Sequence, residues 1–427
     1  MKKKALWISI IGILLIGFVC LFCYRHYIRQ KQIEQKKHTG LVSEDFPVED
    51  IKHEIKNIYE DAYQTEADTQ LQNMRNNNSY TIEDPLLVWN PYGTNTGSFY
   101  YYGVSEQDSY AVCEVTCDKG SVIKHRLKND SNSGVTKTHE YLITGLAPGL
   151  ENHFSLAFYD AGNNLIDTYE YTVTLKKDKQ IPTITKVEKG NSKSSLTDGL
   201  FAVLGHDKSK AKNIYYYDNN GICRGKTPLN DYRTDRILTI DGKLVYSYSL
   251  TDIAFVNRLG KVEKTLSLGK YELHHDFMYD EKRNELLCLV NDTDKDTIED
   301  VLISVNIETG KVKKLVDFEK MMKSMRKRSV QRKGGKNTYG GTELDWLHLN
   351  SLDMINDKDA VFSSREESVI IKINNIYENP SIDYLIHSGS LYKGTKYEKL
   401  LLKQKGNFVG HAGQHTITVE HDASLPN

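Results

Sequence analysis

The hydrophobic pattern divides the chain into stretches with different periods. An apolar run from Ala5 to Cys23 follows Lys2, Lys3 and Lys4, and nineteen such residues can cross a bilayer as a helix. No small-x-small cleavage site follows, so an uncleaved signal anchor is expected rather than a removed leader. Arg25, Arg29, Lys31, Lys36 and Lys37 lie beyond the run, so the positive-inside rule alone does not orient it. Residues 1–37 thus read as anchor and basic stalk. In 38–83, the segment from Val48 to Leu71 carries Ile51, Ile55, Ile58, Tyr59 and Ala62. That spacing predicts an amphipathic helix, broken by the polar tract Asn73 to Tyr80.

From about Asp84 the period changes to two, in short alternating runs separated by turn clusters such as DKG and NDSNSG. The segment ITGLAPGLENHFSLAFYDAGNN (Ile143 to Asn164) resembles the strand junctions of immunoglobulin-like and fibronectin type III sandwiches. One small β-sandwich is expected over 84–178. Beyond Ile181 a weak repeat emerges in NIYYYDNNGICRGKT, DIAFVNRLGKVEKTL, VLISVNIETGKVKKL and VIIKINNIYENPSIDYL. Their turn-entry residues Asp218, Asn257, Asn306 and Asn374 lie 39, 49 and 68 apart. Blades of a β-propeller recur at roughly forty to fifty residues with insertions in loops, so 179–427 predicts a propeller; a sandwich with long hairpins is the competing fold. About four blades are expected before the chain stops at ASLPN. An unclosed ring leaves a bare sheet edge, and the sequence therefore reads as the front part of a longer protein. The fold class is all-β, preceded by a transmembrane helix.

Composition narrows the function. Hydrophobic residues are 39% and charged residues 26%, which excludes wholesale disorder and a polytopic membrane protein. The net charge of −1 provides no field to recruit nucleic acid. Twenty-seven tyrosines against eight prolines suit sheet. Of six cysteines, Cys20 and Cys23 fall in the apolar run; Cys113 and Cys117 lie too far apart along one strand for a disulfide, and no zinc-ribbon spacing exists.

Three histidine-bearing phrases open strands in the repeat region: HHDFMYDEKRNELLCLVND from His274, DWLHLNSLDMINDKDAVFSSREESVIIKI from Asp345, and GQHTITVEHDASLPN from Gly413. Aligned on the strands that follow, His275, Asn350 and His415 are equivalent, with His348 two residues ahead of Asn350. Residues two apart on a strand share a face, which gives His275, His348, Asn350 and His415 one orientation and His274 the other. Innermost propeller strands begin at one mouth of the central channel, so these residues are expected to converge. Each histidine alone reads as readily as a buried structural residue, clustered imidazoles also suit a metal, and Arg365 has Glu366 and Glu367 beside it as ion-pair partners.

The phrases DWLHLNS and SSR (Ser363 to Arg365), HHDF, GQHT and, upstream, LLVWNPYGTNTGSFYYY (Leu86 to Tyr102) resemble, in order, the signature segments of the bacterial arylsulfate sulfotransferases. The resemblance covers Asp84 to Asn427. It implies an N-terminal sandwich, a six-bladed propeller that is incomplete here, and a site in the central channel. It assigns the nucleophilic histidine to His415, sulfuryl-binding roles to His348 and Arg365, and a further histidine to His275. The implied reaction moves a sulfuryl group from a phenolic sulfate ester to a phenol, ping-pong, through a sulfohistidine, without metal or cofactor. A loose transition state with charge on peripheral oxygens calls for fixed cationic donors, and neutral imidazole is a competent nucleophile. The implied setting is extracytoplasmic and membrane-anchored, with homodimerisation left open. The alternative is a non-catalytic propeller that binds ligands at the cell surface. The basic run Lys320 to Lys336 reads as an inter-blade loop, with a membrane-facing or anion-attracting surface as the rival.

Overall fold

The computed structural model describes residues 49–131, 134–181, 188, 190–191, 197–204, 212–230, 234–331, 334–337, 340–407 and 409–420. The expected anchor and stalk, 1–37, lie outside the described residues. Among the described residues no helix is long and apolar enough to cross a membrane. The chain forms two compact units. One comprises, among the described residues, 49–56, 65–202 and 215–226; the other comprises 57–64, 203–214 and 227–420.

The expected helix from Val48 to Leu71 is displaced. Helix α1 spans Asp61–Asn77, whereas residues 51–56 alternate between half-buried and exposed and Glu49 bridges Val88. Ile51 and Ile55 are four apart, a spacing that satisfies both the helical and the extended period, so the pattern could not separate the two. The helix runs through Asn73 because Arg75 is held from outside, its guanidinium donating to Glu140 at 2.8 Å. A tertiary anchor of that kind outweighs the weak helix propensity of asparagine.

The first unit is a β-sandwich built on one long strand. Strands β1 (Leu86–Trp89), β2 (Ser98–Cys117), β3 (Ile123–Arg126), β4 (Thr136–Thr144), β5 (Glu151–Tyr159) and β6 (Leu165–Thr174) are antiparallel. The first half of β2 pairs with β1 and β4. After a register shift between Val104 and Ser109, its second half pairs with β3 and β5, and β5 with β6. One strand thereby crosses between two sheets, and its inward side chains, Phe99, Tyr101, Ala111, Cys113 and Val115, share a core with Tyr141, Phe154, Leu156 and Phe158. Arg224 is entirely buried in this unit, donating to Asp218, Gly145 O and Ser121 O at 2.7, 2.8 and 2.6 Å. Cys113, Cys117, Cys223 and Cys288 are buried free thiols. A three-stranded sheet joins β7 (Phe201–Val203), β8 (Asn213–Tyr217) and β9 (Cys223–Pro228).

The second unit contains three successive four-stranded antiparallel meanders, the topology of propeller blades. The first holds β10 (Ile237–Ile240), β11 (Lys243–Ser247), β12 (Asp252–Val256) and β13 (Val262–Ser267). The second holds β14 (Tyr271–Asp280), β15 (Glu285–Asp292), β16 (Val301–Asn306) and β17 (Val312–Asp317). The third holds β18 (Leu349–Met354), β19 (Ala360–Ser364), β20 (Val369–Asn374) and β21 (Ser381–Ile386). Each of the last three repeat phrases is the outer hairpin of one meander, and NIYYYDNNGICRGKT forms β8 and β9. The described residues therefore hold three complete four-stranded sheets rather than four. The basic run from Lys320 forms part of two short helices, α2 (Phe318–Met321) and α3 (Lys323–Arg326). They bury Phe318, Met322 and Met325 while Arg326 pairs with Asp296.

First strands lie side by side: β14 neighbours both β10 and β18. Residues 414–419 continue the series without forming a paired strand. Asn350 Nδ2 donates to Gln414 O at 2.8 Å, Ile417 N to Ser351 Oγ at 2.9 Å, and Val419 N to Asp353 Oδ2 at 2.7 Å. The contacts ascend together on both segments, so the terminal segment runs parallel to β18.

Candidate active site

Where β14 and β18 begin, the pleat is interrupted. Pairing of β14 with β15 shifts between Leu273 and Phe277, and pairing of β18 with β19 shifts between Leu349 and Ser351. His275 and His348 adopt left-handed backbone conformations, φ 55° and 53°, and so does Glu299, φ 59°. Such residues cost of order 1–3 kcal/mol each and persist only where their surroundings dictate them. The dictating contacts are visible. His275 N donates to Asp235 Oδ2 at 3.0 Å, and Glu299 N to Asn291 Oδ1 at 2.8 Å. The loop bearing Glu299 clasps the approach to β18: Leu344 N donates to Asp296 O, Ile298 N to Leu344 O, and Leu349 N to Glu299 O.

Two of these strained positions, His275 and His348, bring their imidazoles together with that of His415. Ring centroids of His275 and His348 are 4.8 Å apart, of His275 and His415 5.1 Å, and of His348 and His415 6.3 Å. His348 Nδ1 donates to Asp345 Oδ2 at 2.9 Å and also contacts Glu299. All three side chains are essentially inaccessible. Burial alone would discharge His348, but its hydrogen bonds to the two carboxylates, and their charges, prevail and raise its pKa to about 9. Glu299 is likewise burdened by burial yet held at about 2 by its bond to His348 and the neighbouring rings. At neutral pH the pair is imidazolium and carboxylate. His348 Nε2 makes no hydrogen bond among the described residues, leaving a charged donor unspent.

The other rings are held neutral. Burial, then the neighbouring His274, lowers the pKa of His275 to about 3. Burial, then the charges of His348 and Arg365, lowers that of His415. His415 is exposed on its loop, where Gly413 N donates to Ser368 Oγ at 3.0 Å and Gln414 Nε2 donates to Ser364 O at 2.9 Å. A cavity of about 550 Å³ is lined by His275, His415, Asn350, Asp276, Arg236 and neighbouring residues. Asp276 pairs with Arg236 and accepts from Leu352 N at 3.1 Å, so its part is to brace β14 against β18.

Arg365 directly follows β19, its N donating to His348 O at 3.1 Å. Its guanidinium lies 3.9 Å from Asp345 but is engaged mainly by Glu366, at 2.6 Å. It does not line the cavity. Sequence reasoning missed Glu299, whose surroundings, DTIED, match no motif; it gave Asp345 no role, although a carboxylate three residues before a histidine was a usable signal. Donor atoms of His275, His348 and His415 lie within 4.8 Å of one another, but an imidazolium has no lone pair for a metal, so an ion would have to displace the His348 proton.

A family model, arylsulfotransferase (ASST), matches residues 185–425. The chain belongs to the arylsulfotransferase family. No curated protein matches. Likenesses among solved structures are distant. The Cps50 (Swd1) β-propeller domain of Myceliophteria thermophila is 9% identical, covering 73% of this chain and 88% of its own, TM-score 0.27. Myxococcus xanthus glutaminyl cyclase is 10% identical, covering 54% and 83%, TM-score 0.25. Neither carries an argument at that similarity. The arylsulfotransferase match spans every histidine of the cluster, Glu299, Asp345 and Arg365.

Proposed function

We propose that this arylsulfotransferase moves a sulfuryl group from an aryl sulfate to an acceptor phenol by two half-reactions through a sulfated His415. The observation that carries the reading is the meeting of three imidazoles, only one of which, His348, is held by two buried carboxylates. His415 is neutral and exposed, as a nucleophile must be. Beside it, His348 is a fixed cation whose Nε2 has no partner among the described residues, suited to the oxygens of a sulfuryl group in flight. His275, neutral and with Nδ1 turned to Glu299 and His274, offers Nε2 to the phenolic oxygen as acid in one half-reaction and base in the other. Arg365 serves as a mobile clamp, exchanging Glu366 for the sulfate. A non-catalytic binding module leaves the strained backbone and the buried imidazolium unaccounted for.

The three meanders read as blades of a six-bladed propeller whose central channel holds the site. Residues 5–23 would anchor the protein, with its catalytic part extracytoplasmic. The test is chemical. Donor-treated protein without acceptor gains one sulfuryl group on His415 by mass spectrometry, and phenol discharges it. Modification of Ser, Thr or Tyr, or turnover in His415→Ala, refutes the mechanism.

A further inference from the structure

The fourth strand of an antiparallel meander runs opposite to its first, so β17 and β21 end where β14 and β18 begin. That is the end at which the imidazoles of His275, His348 and His415 meet. Two long connections leave from it, 318–348 after β17 and 387–413 after β21. They pack on each other. Met322 and Met325 of the first share a core with Tyr392 and Tyr397 of the second. Tyr397 Oη donates to Met321 O at 3.2 Å, and Arg328 Nη1 to Leu391 O at 3.4 Å. Ser388 Oγ donates to His411 O at 3.4 Å, which ties the second connection to the loop of His415.

Both connections are basic. Residues 320–331 hold five lysines and arginines and no acid, and 387–407 hold five lysines against one glutamate. Lys323, Lys327 and Arg328 of the first and Lys396, Lys399 and Lys403 of the second are exposed. The acids beside them already have partners. Glu319 is engaged by Lys295 at 3.2 Å and Asp296 by Arg326 at 3.2 Å, while Glu398 accepts from Gly394 N at 2.7 Å. Among these cations stand the three most exposed large apolar side chains of the described residues, Val409 at 97%, Val330 at 84% and Leu402 at 50%. A nucleic acid or a small anion in water has a use for the cations but none for the apolar side chains. A bilayer surface takes both, the cations at its headgroups and the apolar groups at the acyl boundary.

We propose that this end of the second unit docks on a bilayer containing anionic lipid. The lysines lie against headgroup phosphates, and Val330, Leu402 and Val409 enter the boundary beneath them. The docking requires neither that residues 5–23 span a bilayer nor that the cluster transfers sulfate. It would place the end bearing the cluster against the headgroup layer, where amphiphilic aryl esters collect; only that consequence rests on the transferase reading.

The test is a lysine footprint of the full chain. Acetylation at individual lysines is followed by mass spectrometry with vesicles of phosphatidylcholine alone and with vesicles about one quarter phosphatidylglycerol. With the anionic vesicles, Lys323, Lys327, Lys396, Lys399 and Lys403 should react about tenfold more slowly, and about 0.5 M salt should abolish most of the protection. Lys311 and Lys358, in hairpin turns at the opposite ends of their sheets, should react unchanged. No protection, equal protection by phosphatidylcholine alone, or equal protection of Lys311 and Lys358 overturns the docking. So does protection by heparin or single-stranded DNA where the anionic vesicles give none. Val330→Glu with Leu402→Glu, both at exposed positions, should lose the protection while turnover without vesicles is unchanged; protection intact in that variant overturns the apolar half of the contact. Retention on vesicles in alkaline carbonate tests residues 5–23 separately: retention without the footprint overturns the docking, and the footprint without retention supports it and overturns the anchor.

Discussion

Glu299→Gln removes one charge and no volume from the least accessible point of the site. In the folded protein the proton affinity of His348 rises from pKa 6.5 to about 9, and that of Glu299 falls from 4.5 to about 2. Asp345 accounts for part of the His348 shift, so the contact with Glu299 is worth at most about 3 kcal/mol at about 1.4 kcal/mol per unit. The raised histidine contributes stability that is complete below pH 6.5 and lost as pH climbs through about 9. The depressed glutamate contributes stability that is complete above pH 4.5 and lost as pH falls toward 2. The pair therefore supports the fold fully between pH 4.5 and 6.5. With glutamine present only Asp345 opposes the cost of burial, so the His348 pKa drops toward or below neutrality and the donor is uncharged at pH 8. Removing a fixed donor of this kind costs about 10²–10³ in rate. Continuous release of 4-nitrophenol in the presence of acceptor, measured from pH 5 to 9.5, should show the alkaline limb displaced downward by more than about one unit. Thermal melts at pH 6 and 9 check that the variant is folded, and the loss of stability should be larger at pH 6. An unchanged alkaline limb in a folded variant refutes the assignment of the imidazolium.

Arg365→Lys should lower turnover about ten- to a hundredfold, because an ammonium cannot reproduce the planar fork; an unchanged rate removes Arg365 from the mechanism. Arg224→Met should lower the urea stability of the sandwich unit by about 3–5 kcal/mol, since Asp218 is left as a buried charge without its cation, while sulfation of His415 persists in the folded fraction; a midpoint unchanged in urea refutes it. Dialysis against chelator should leave transfer unchanged, and a loss restored by zinc would move the cluster to metal chemistry.

Much of the second unit was legible because its signals are local. A turn-entry asparagine or aspartate between two apolar runs marks a hairpin wherever it occurs, and Asn257, Asn306 and Asn374 each close one. Alignment of the histidine phrases on the strands that follow them also placed His275, His348 and His415 together. The reason given was incomplete, however. Parity assumes an unbroken pleat, and the pleat breaks at His275 and His348, so His274 is a neighbour of the cluster and not its opposite. Glu299 was illegible because its place depends on a loop from one sheet clasping the approach to the next, a contact some fifty residues distant in sequence. The helix was misplaced because a spacing of four residues belongs to two periods.

Left-handed backbone at His275, Glu299 and His348 has an evolutionary reading. Glycine would occupy any of the three at lower conformational cost, so relaxed selection would let the site decay toward greater stability. A homologous chain that keeps the hairpins but carries glycine at these positions should melt higher and transfer nothing. Retention of bulky, ionisable side chains there is then a sign, readable without an assay, that a lineage still uses the site.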